Sequence, residues 1–145
     1  MTDFVEQQMI ESVRKLLTGR VNEILNEAQF VIPIIEFGGN GRGYAVAPLI
    51  SLSTCERTEK ERIIRLDSYA LSISFTLPES PDSELHCYAY SGAVGRAVYE
   101  NPTLGGVVNR AVISAKKYNP PKVPHCGEAW TVVITLRLTV EGITE

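Results

Sequence analysis

Two stretches of the chain alternate with a period of two, and they limit what it can become. Tyr69, Leu71, Ile73, Phe75 and Leu77 are separated by Ala70, Ser72, Ser74 and Thr76. Further on, Val132, Ile134, Leu136, Leu138 and Val140 alternate with Thr131, Thr135, Arg137 and Thr139, with Val133 among the latter. Alternation of this kind sends like residues to one side of a pleated strand. One side is apolar and the other is rich in hydroxyls, which predicts an antiparallel sheet with helices on a single face. A slip of one residue would exchange the faces, so the pattern also predicts the register.

The covering helices are legible on either side of this sheet. Residues 3–26 read as a first helix, with Met9, Ile10, Val13, Leu16, Leu17, Val21, Ile24 and Ala28 forming one apolar stripe. Asp3 followed by Glu6 resembles a capping box. Gly19 costs about 1 kcal/mol relative to alanine and predicts a bend or a break. A second helix starts at Ser80-Pro81-Asp82, where serine can cap, proline fits the first turn and the acid suits the positive end. It runs through Leu85, Tyr88, Ala89, Ala93 and Ala97 to about Tyr99, and Asn101-Pro102 stops it. Gly92, Gly95 and the alanines let it approach a sheet closely.

Between the helices the apolar run of residues 30–37 surrounds Pro33, which suits an edge or irregular segment. Gly38-Gly39-Asn40-Gly41-Arg42-Gly43 is a surface loop: it has no G-x-G-x-x-G register, and Tyr44 stands where a P-loop needs lysine. A long hairpin follows, with arms at residues 49–55 and 64–77. Its connection is Glu56-Arg57-Thr58-Glu59-Lys60-Glu61-Arg62, all polar. After the second helix come a β-rich run over residues 107–118, a proline-rich loop at 120–124, and the last strand at 131–140. The expected architecture is α+β: a single domain over residues 1–145, with a four-stranded, mainly antiparallel sheet and two main helices packed on one face.

Length and composition bound the function. A chain of 145 residues, 44% hydrophobic and 21% charged, buries a real core. A net charge of −3 argues against a duplex-DNA binder, so no specific nucleic-acid binding is expected. No apolar run approaches the roughly 20 residues of a membrane helix, and the N-terminus lacks the apolar core of a signal peptide. Three cysteines at irregular spacing suit free thiols in a reducing cytoplasm.

The residues closest to a chemical constellation are Cys55, His86, Cys87, His125 and Cys126. His86 and Cys87 are adjacent on a helix and diverge, and neither C-x₂-C nor H-x₃-H occurs. A zinc module or a cysteine-dependent enzyme using these side chains is the alternative of a different class. Buried thiols and loop histidines are the plainer reading. The carboxylates Glu56, Glu59, Glu61, Asp67, Glu79, Asp82 and Glu84 fall in loops and helix starts, where solvation and capping explain them. Trp130 reads as a packing residue, and Lys116-Lys117 before Tyr118 as a blunted strand end. No catalytic, cofactor-binding or metal-ligating residue and no cofactor is therefore expected.

One layout carries a resemblance. Tyr99-Glu100-Asn101-Pro102-Thr103-Leu104-Gly105-Gly106-Val107-Val108 leaves the second helix. Lys117-Tyr118-Asn119-Pro120-Pro121 ends the next strand, and Ala129-Trp130-Thr131-Val132-Val133 opens the last. In these stretches and in the order of its elements, the chain resembles the tail terminator (tail completion) proteins of tailed bacteriophages. The resemblance covers nearly the whole chain and includes no chemical signature. It implies a virion structural protein at the head-proximal end of the tail, assembled in the host cytoplasm. Such proteins form a ring, typically of six subunits, on the tail tube protein. They stop tube growth and present a surface to the head–tail connector. Another neck or head-completion protein is the near alternative. In this setting Glu56, Arg57, Glu59, Lys60, Glu61 and Arg62 are the candidate assembly interface, because mixed charges on a projecting hairpin can set the orientation of a neighbour.

Overall fold

A computed structural model describes residues 4–29, 31–38, 45–60, 64–78, 80–122 and 129–143. Its elements run α1 (Val5–Leu16), a π turn (Leu17–Val21), α2 (Asn22–Asn26), β1 (Ile34–Ile35), β2 (Ala45–Val46), β3 (Leu49–Lys60), β4 (Ile64–Leu77), α3 (Ser83–Glu100), β5 (Arg110–Asn119) and β6 (Trp130–Ile143). The main sheet has the order β3-β4-β6-β5, and every neighbouring pair is antiparallel. The helices lie on one face, so the chain is the α+β architecture that the two alternating strands predict. A second, two-stranded sheet pairs β1 with β2 in parallel.

The register follows from burial. Leu71 pairs with Leu136, Ile73 with Ile134 and Phe75 with Val132, and all six side chains are buried. The intervening pairs Ser72–Thr135 and Thr76–Thr131 point to the open face. Tyr90 of α3 stacks on Phe75 with ring centroids 4.6 Å apart, and its hydroxyl donates to the Pro33 carbonyl at 2.6 Å. One side chain thus ties α3, the sheet and the segment before β1 together, and burial pushes the Tyr90 phenol well above its usual range.

The first helix does not break at Gly19. It winds through one π turn instead, and the reason lies in spacing. The buried residues Met9, Val13, Leu17, Val21 and Leu25 recur every four positions. In an α-helix a four-residue step drifts about 40° around the axis, because 3.6 residues make a turn. A π turn, with its i→i+5 bonds, winds less per residue and takes some of that drift back. It also directs Asn22 at the β1 backbone: its amide donates to the Ile35 carbonyl at 2.9 Å and accepts the Ile35 N–H at 2.8 Å. At the N-terminus Phe4 stands at the cap with no side-chain bond, and Asp3 lies outside the described residues. Glu6 accepts a hydrogen bond from the Tyr69 hydroxyl at 3.2 Å.

α3 begins at Ser83, two residues later than the serine–proline signal predicts. Ser83 Oγ donates to the Pro78 carbonyl at 2.6 Å and accepts the Ser80 N–H at 2.9 Å, so the Ser80 segment closes a turn before the helix starts. At its other end Asn101 Nδ2 donates to the Ala97 carbonyl at 3.1 Å. The chain then reverses through three left-handed residues, Leu104 (φ 50°), Gly105 (φ 75°) and Gly106 (φ 91°). Two glycines make this cheap, and Leu104 is held there by burial. The turn delays β5 until Arg110, three residues beyond the predicted start of the β-rich run.

The hairpin differs most from expectation. Residues 56–60 are not part of a seven-residue connection; they extend β3, pairing from Glu56 opposite Ser68 to Lys60 opposite Ile64. Charged residues are poor strand formers in isolation, but a long partner strand supplies ladder bonds at every position. The connection shrinks to residues 61–63, within the usual hairpin range.

Candidate assembly interface

The extended hairpin sorts its charges by face. Glu56 and Thr58 share the open face with Ser68, while Arg57 and Glu59 share the helix-side face with Asp67 and Arg65. Asp67 is the unusual member, a carboxylate only 3% exposed. It holds Arg57 through two bonds, from Nε at 2.8 Å and Nη2 at 3.2 Å, and the Arg65 Nε lies 3.3 Å from its second oxygen. A buried carboxylate needs such partners, since an unpaired charge costs several kcal/mol. The pairing raises the Arg57 guanidinium further above its ordinary range. Opposite Arg65 stands Gly142, where a Cβ would come within 3.1 Å of the guanidinium. The glycine therefore leaves room for the arginine to lie across the strand.

Of the sequence-predicted interface residues, Glu56 and Glu59 are exposed strand positions. Arg57 is engaged within its own subunit. Lys60 closes the ladder opposite Ile64, and Glu61 and Arg62 lie outside the described residues. The Asp67 clamp was missed, although the signal was there. Counting back by twos from Leu77 through Tyr69 puts Asp67 on the apolar side of its strand, where a carboxylate must have a cationic partner.

The open face of the sheet is the second feature. Across β4 and β6 it presents Ser68, Ala70, Ser72, Ser74 and Thr76 beside Thr131, Val133, Thr135, Arg137 and Thr139. The edge strands add Ser51 and Thr54 on one side and Val112, Ala115 and Lys117 on the other. No helix covers it. Both edge strands carry a bulge at the same level: β3 between Leu52 and Thr54, β5 between Ile113 and Ala115. The extra residue is a serine each time, Ser53 donating to the Ala70 carbonyl at 3.3 Å and Ser114 to the Thr135 carbonyl at 3.1 Å. The row between the bulges is Leu52, Leu71, Leu136 and Ile113. Paired bulges increase twist and bend the strands about that row.

The candidate chemical residues are dispersed. Cys55 is exposed on β3 and Cys87 is buried on α3. Burial, with Glu84 nearby, pushes the Cys87 thiol up to about 11, so it is neutral at pH 7. The His86 Nε2 sits 3.1 Å from the Val31 carbonyl. Among the described residues no three His, Cys, Asp or Glu side chains converge as metal ligands, and His125 and Cys126 lie outside them. An open hollow of about 570 Å³ lies between α1 and the turn after α3, lined by Ser12, Lys15, Arg20, Asn101 and Leu104. Its arginine has a carboxylate partner at each nitrogen: Nε and Nη2 bind the two oxygens of Glu100 at 2.7 and 3.1 Å, and Nη1 binds Glu23 at 3.2 Å. Arg20 holds the Glu100 carboxyl below its usual range and ties the π turn to the end of α3. Trp130 is half-buried opposite Leu77 at the mouth of β6, as a packing residue would be.

No protein-family model matches the chain, and no curated protein matches it.

Proposed function

We propose that the protein caps the end of a phage tail tube as a ring, stops tube polymerisation and offers the docking surface for the head–tail connector. It acts by binding rather than by catalysis. The reading rests on the likeness of layout described above. The observation that carries it furthest is the sheet itself: one face is packed by helices, while the other is a broad surface of hydroxyls that the described residues leave open. A face of that kind suits repeated, reversible contact with a polymer end or a lumen better than an obligate apolar interface. The curved edges and the projecting β3–β4 hairpin give a subunit distinct sides for a neighbour and for the tube, as a cyclic assembly requires.

The test is genetic and microscopic. In the virus or prophage that encodes it, removal of the protein should leave tails of irregular, excessive length that do not join heads, and resupplying it should restore both. Tails of normal length with heads attached in its absence would end the proposal.

A further inference from the structure

The main sheet has two unpaired edges, β3 and β5, at opposite margins. Long unpaired edges are templates for further pairing unless something blocks them. At the start of the β5 edge the Ala111 N–H donates to the Pro102 carbonyl at 2.6 Å, and further along the bulge at Ser114 and the pair Lys116-Lys117 discourage pairing with a like edge. The two edges differ in charge. β5 holds Arg110, Lys116 and Lys117 and no acid, in a chain whose net charge is −3. β3 holds Glu56 and Glu59 against Arg57 and Lys60, and Arg57 is already paired with Asp67. Beside it, Glu6 of α1 lines a hollow of about 370 Å³ with Leu52, Ser53, Cys55 and Tyr69.

From this we infer that β5 of one copy pairs with β3 of the next, so that the sheet continues from subunit to subunit through a head-to-tail contact. Three considerations select this partner over others. First, the four strands alternate in direction, so β5 runs opposite to β3. A second copy in the same orientation therefore offers its β3 antiparallel to β5 with the helix-covered faces aligned. Second, a symmetric β5–β5 contact would set three bases against three, and like charges directly opposite are destabilising. A β3–β3 contact would leave the basic edge exposed. Third, the row through Arg110, Thr139 and Ser68 ends at Glu56. If rows continue straight across the contact, Arg110 faces the next copy's Glu56 on the open face. If the next copy is slid along the edge, Lys117 takes the place of Arg110. The inference needs no tail: it concerns how copies of this chain meet, and it stands or falls apart from what the assembly does.

The native Cys55 makes the contact measurable. Directly opposed residues of an antiparallel pair lie about 4.5–5.5 Å apart at Cα, within disulfide range. One chain keeps Cys55 and carries Cys126→Ser. Its partner chain carries Cys55→Ser, Cys126→Ser and one new thiol on the helix-side face of β5: Ala111→Cys, which faces Cys55 if rows run straight, or Ile113→Cys, Lys116→Cys or Tyr118→Cys for slid registers. The buried Cys87 is left in both. Mixed under mild oxidation at high protein concentration, the two chains should form mixed disulfide dimers with at least one of the four positions, and that position reads out the register. Neither chain alone should cross-link, and the mixed product should fall at least tenfold when Glu56 and Glu59 are both replaced by lysine. Dimers of the Cys55 chain with itself, or of the β5 chains with themselves, would replace the head-to-tail contact with a symmetric one. No cross-link in any mixture would overturn the inference outright. Head-to-tail cross-links with normal tails in the deletion strain would leave this inference standing and remove the tail proposal alone.

Discussion

Ile134 and Thr135 are neighbours with opposite fates. Ile134 has no exposed surface and pairs with Ile73, while Thr135 faces the open side opposite Ser72. Ile134→Asp places an unpaired charge in the core and should cost more than about 4 kcal/mol, enough to unfold a marginal domain. Thr135→Asp should cost well under half of that, and circular dichroism melts of the two variants check the order. Cys87 makes a second prediction, on pH. Its folded-state thiol is raised from 9.0 to about 11, so between those values the unfolded chain has released a proton that the folded chain still holds. Stability should therefore be complete below about pH 9 and fall as pH rises towards 11. Cys87→Ala should lessen the fall in melting temperature, most clearly below pH 10, above which the buried Tyr69 and Tyr90, raised from 10.0, add a fall of their own, and melts at stepped pH read it directly. The same burial makes Cys87 slow to react: a thiol reagent should label Cys55 in the native protein and reach Cys87 only on unfolding.

The β3–β4 hairpin separates charges engaged within the subunit from charges left exposed. Asp67→Ala would take from Arg57 and Arg65 the carboxylate they share and should cost roughly 1–3 kcal/mol, discounted because Arg57 is itself largely hydrated. Glu56→Ala with Glu59→Ala should move stability by less than about 0.5 kcal/mol, as exposed positions do. If the hairpin meets a neighbour or the tube, the Glu56/Glu59 variant should disturb tail length in electron micrographs despite its normal melt. Cutting out residues 57–61 would mix the two effects, because it removes the partner of Asp67. At the first helix, Asn22→Ala would leave the Ile35 N–H without its acceptor and should cost about 1–3 kcal/mol in a denaturant titration.

For the whole molecule the prediction concerns association. Among the described residues exposed apolar side chains include Leu49, Tyr88 and Tyr99, Val31 and Ile34 line one hollow of about 510 Å³, and the open face is hydroxyl-rich. Contact through a hydroxyl-rich face favours weak, concentration-dependent association. The isolated protein should sediment as a monomer or in slow exchange with rings, and tube ends should shift it to the ring. A tight dimer independent of concentration would contradict a head-to-tail ring. Replacing Cys55, Cys87 and Cys126 together by alanine should leave incorporation into tails intact; stoichiometric zinc that disappears with them would revive the metal alternative.

The alternating strands, the faces they present and the helices that cover one face were legible in the sequence, because period and polarity are local and each buried position reports its own side. The register of β6 against β4 follows from the same parity. The length of β3 was not legible: residues 56–60 are charged, and only the facing β4 makes a strand the best place for their backbone groups. Asp67 was visible as a misplaced charge, but which arginines would answer it depends on how two strands lie across each other. The π turn was hidden for the same reason. Gly19 marks a weak point in any helix, and only the demand to keep five residues against one sheet decides that the helix rewinds there instead of breaking. The edges of the sheet and their unequal charge, on which the proposed head-to-tail contact rests, are properties of strand order, which joins residues far apart in the chain and cannot be read from local pattern.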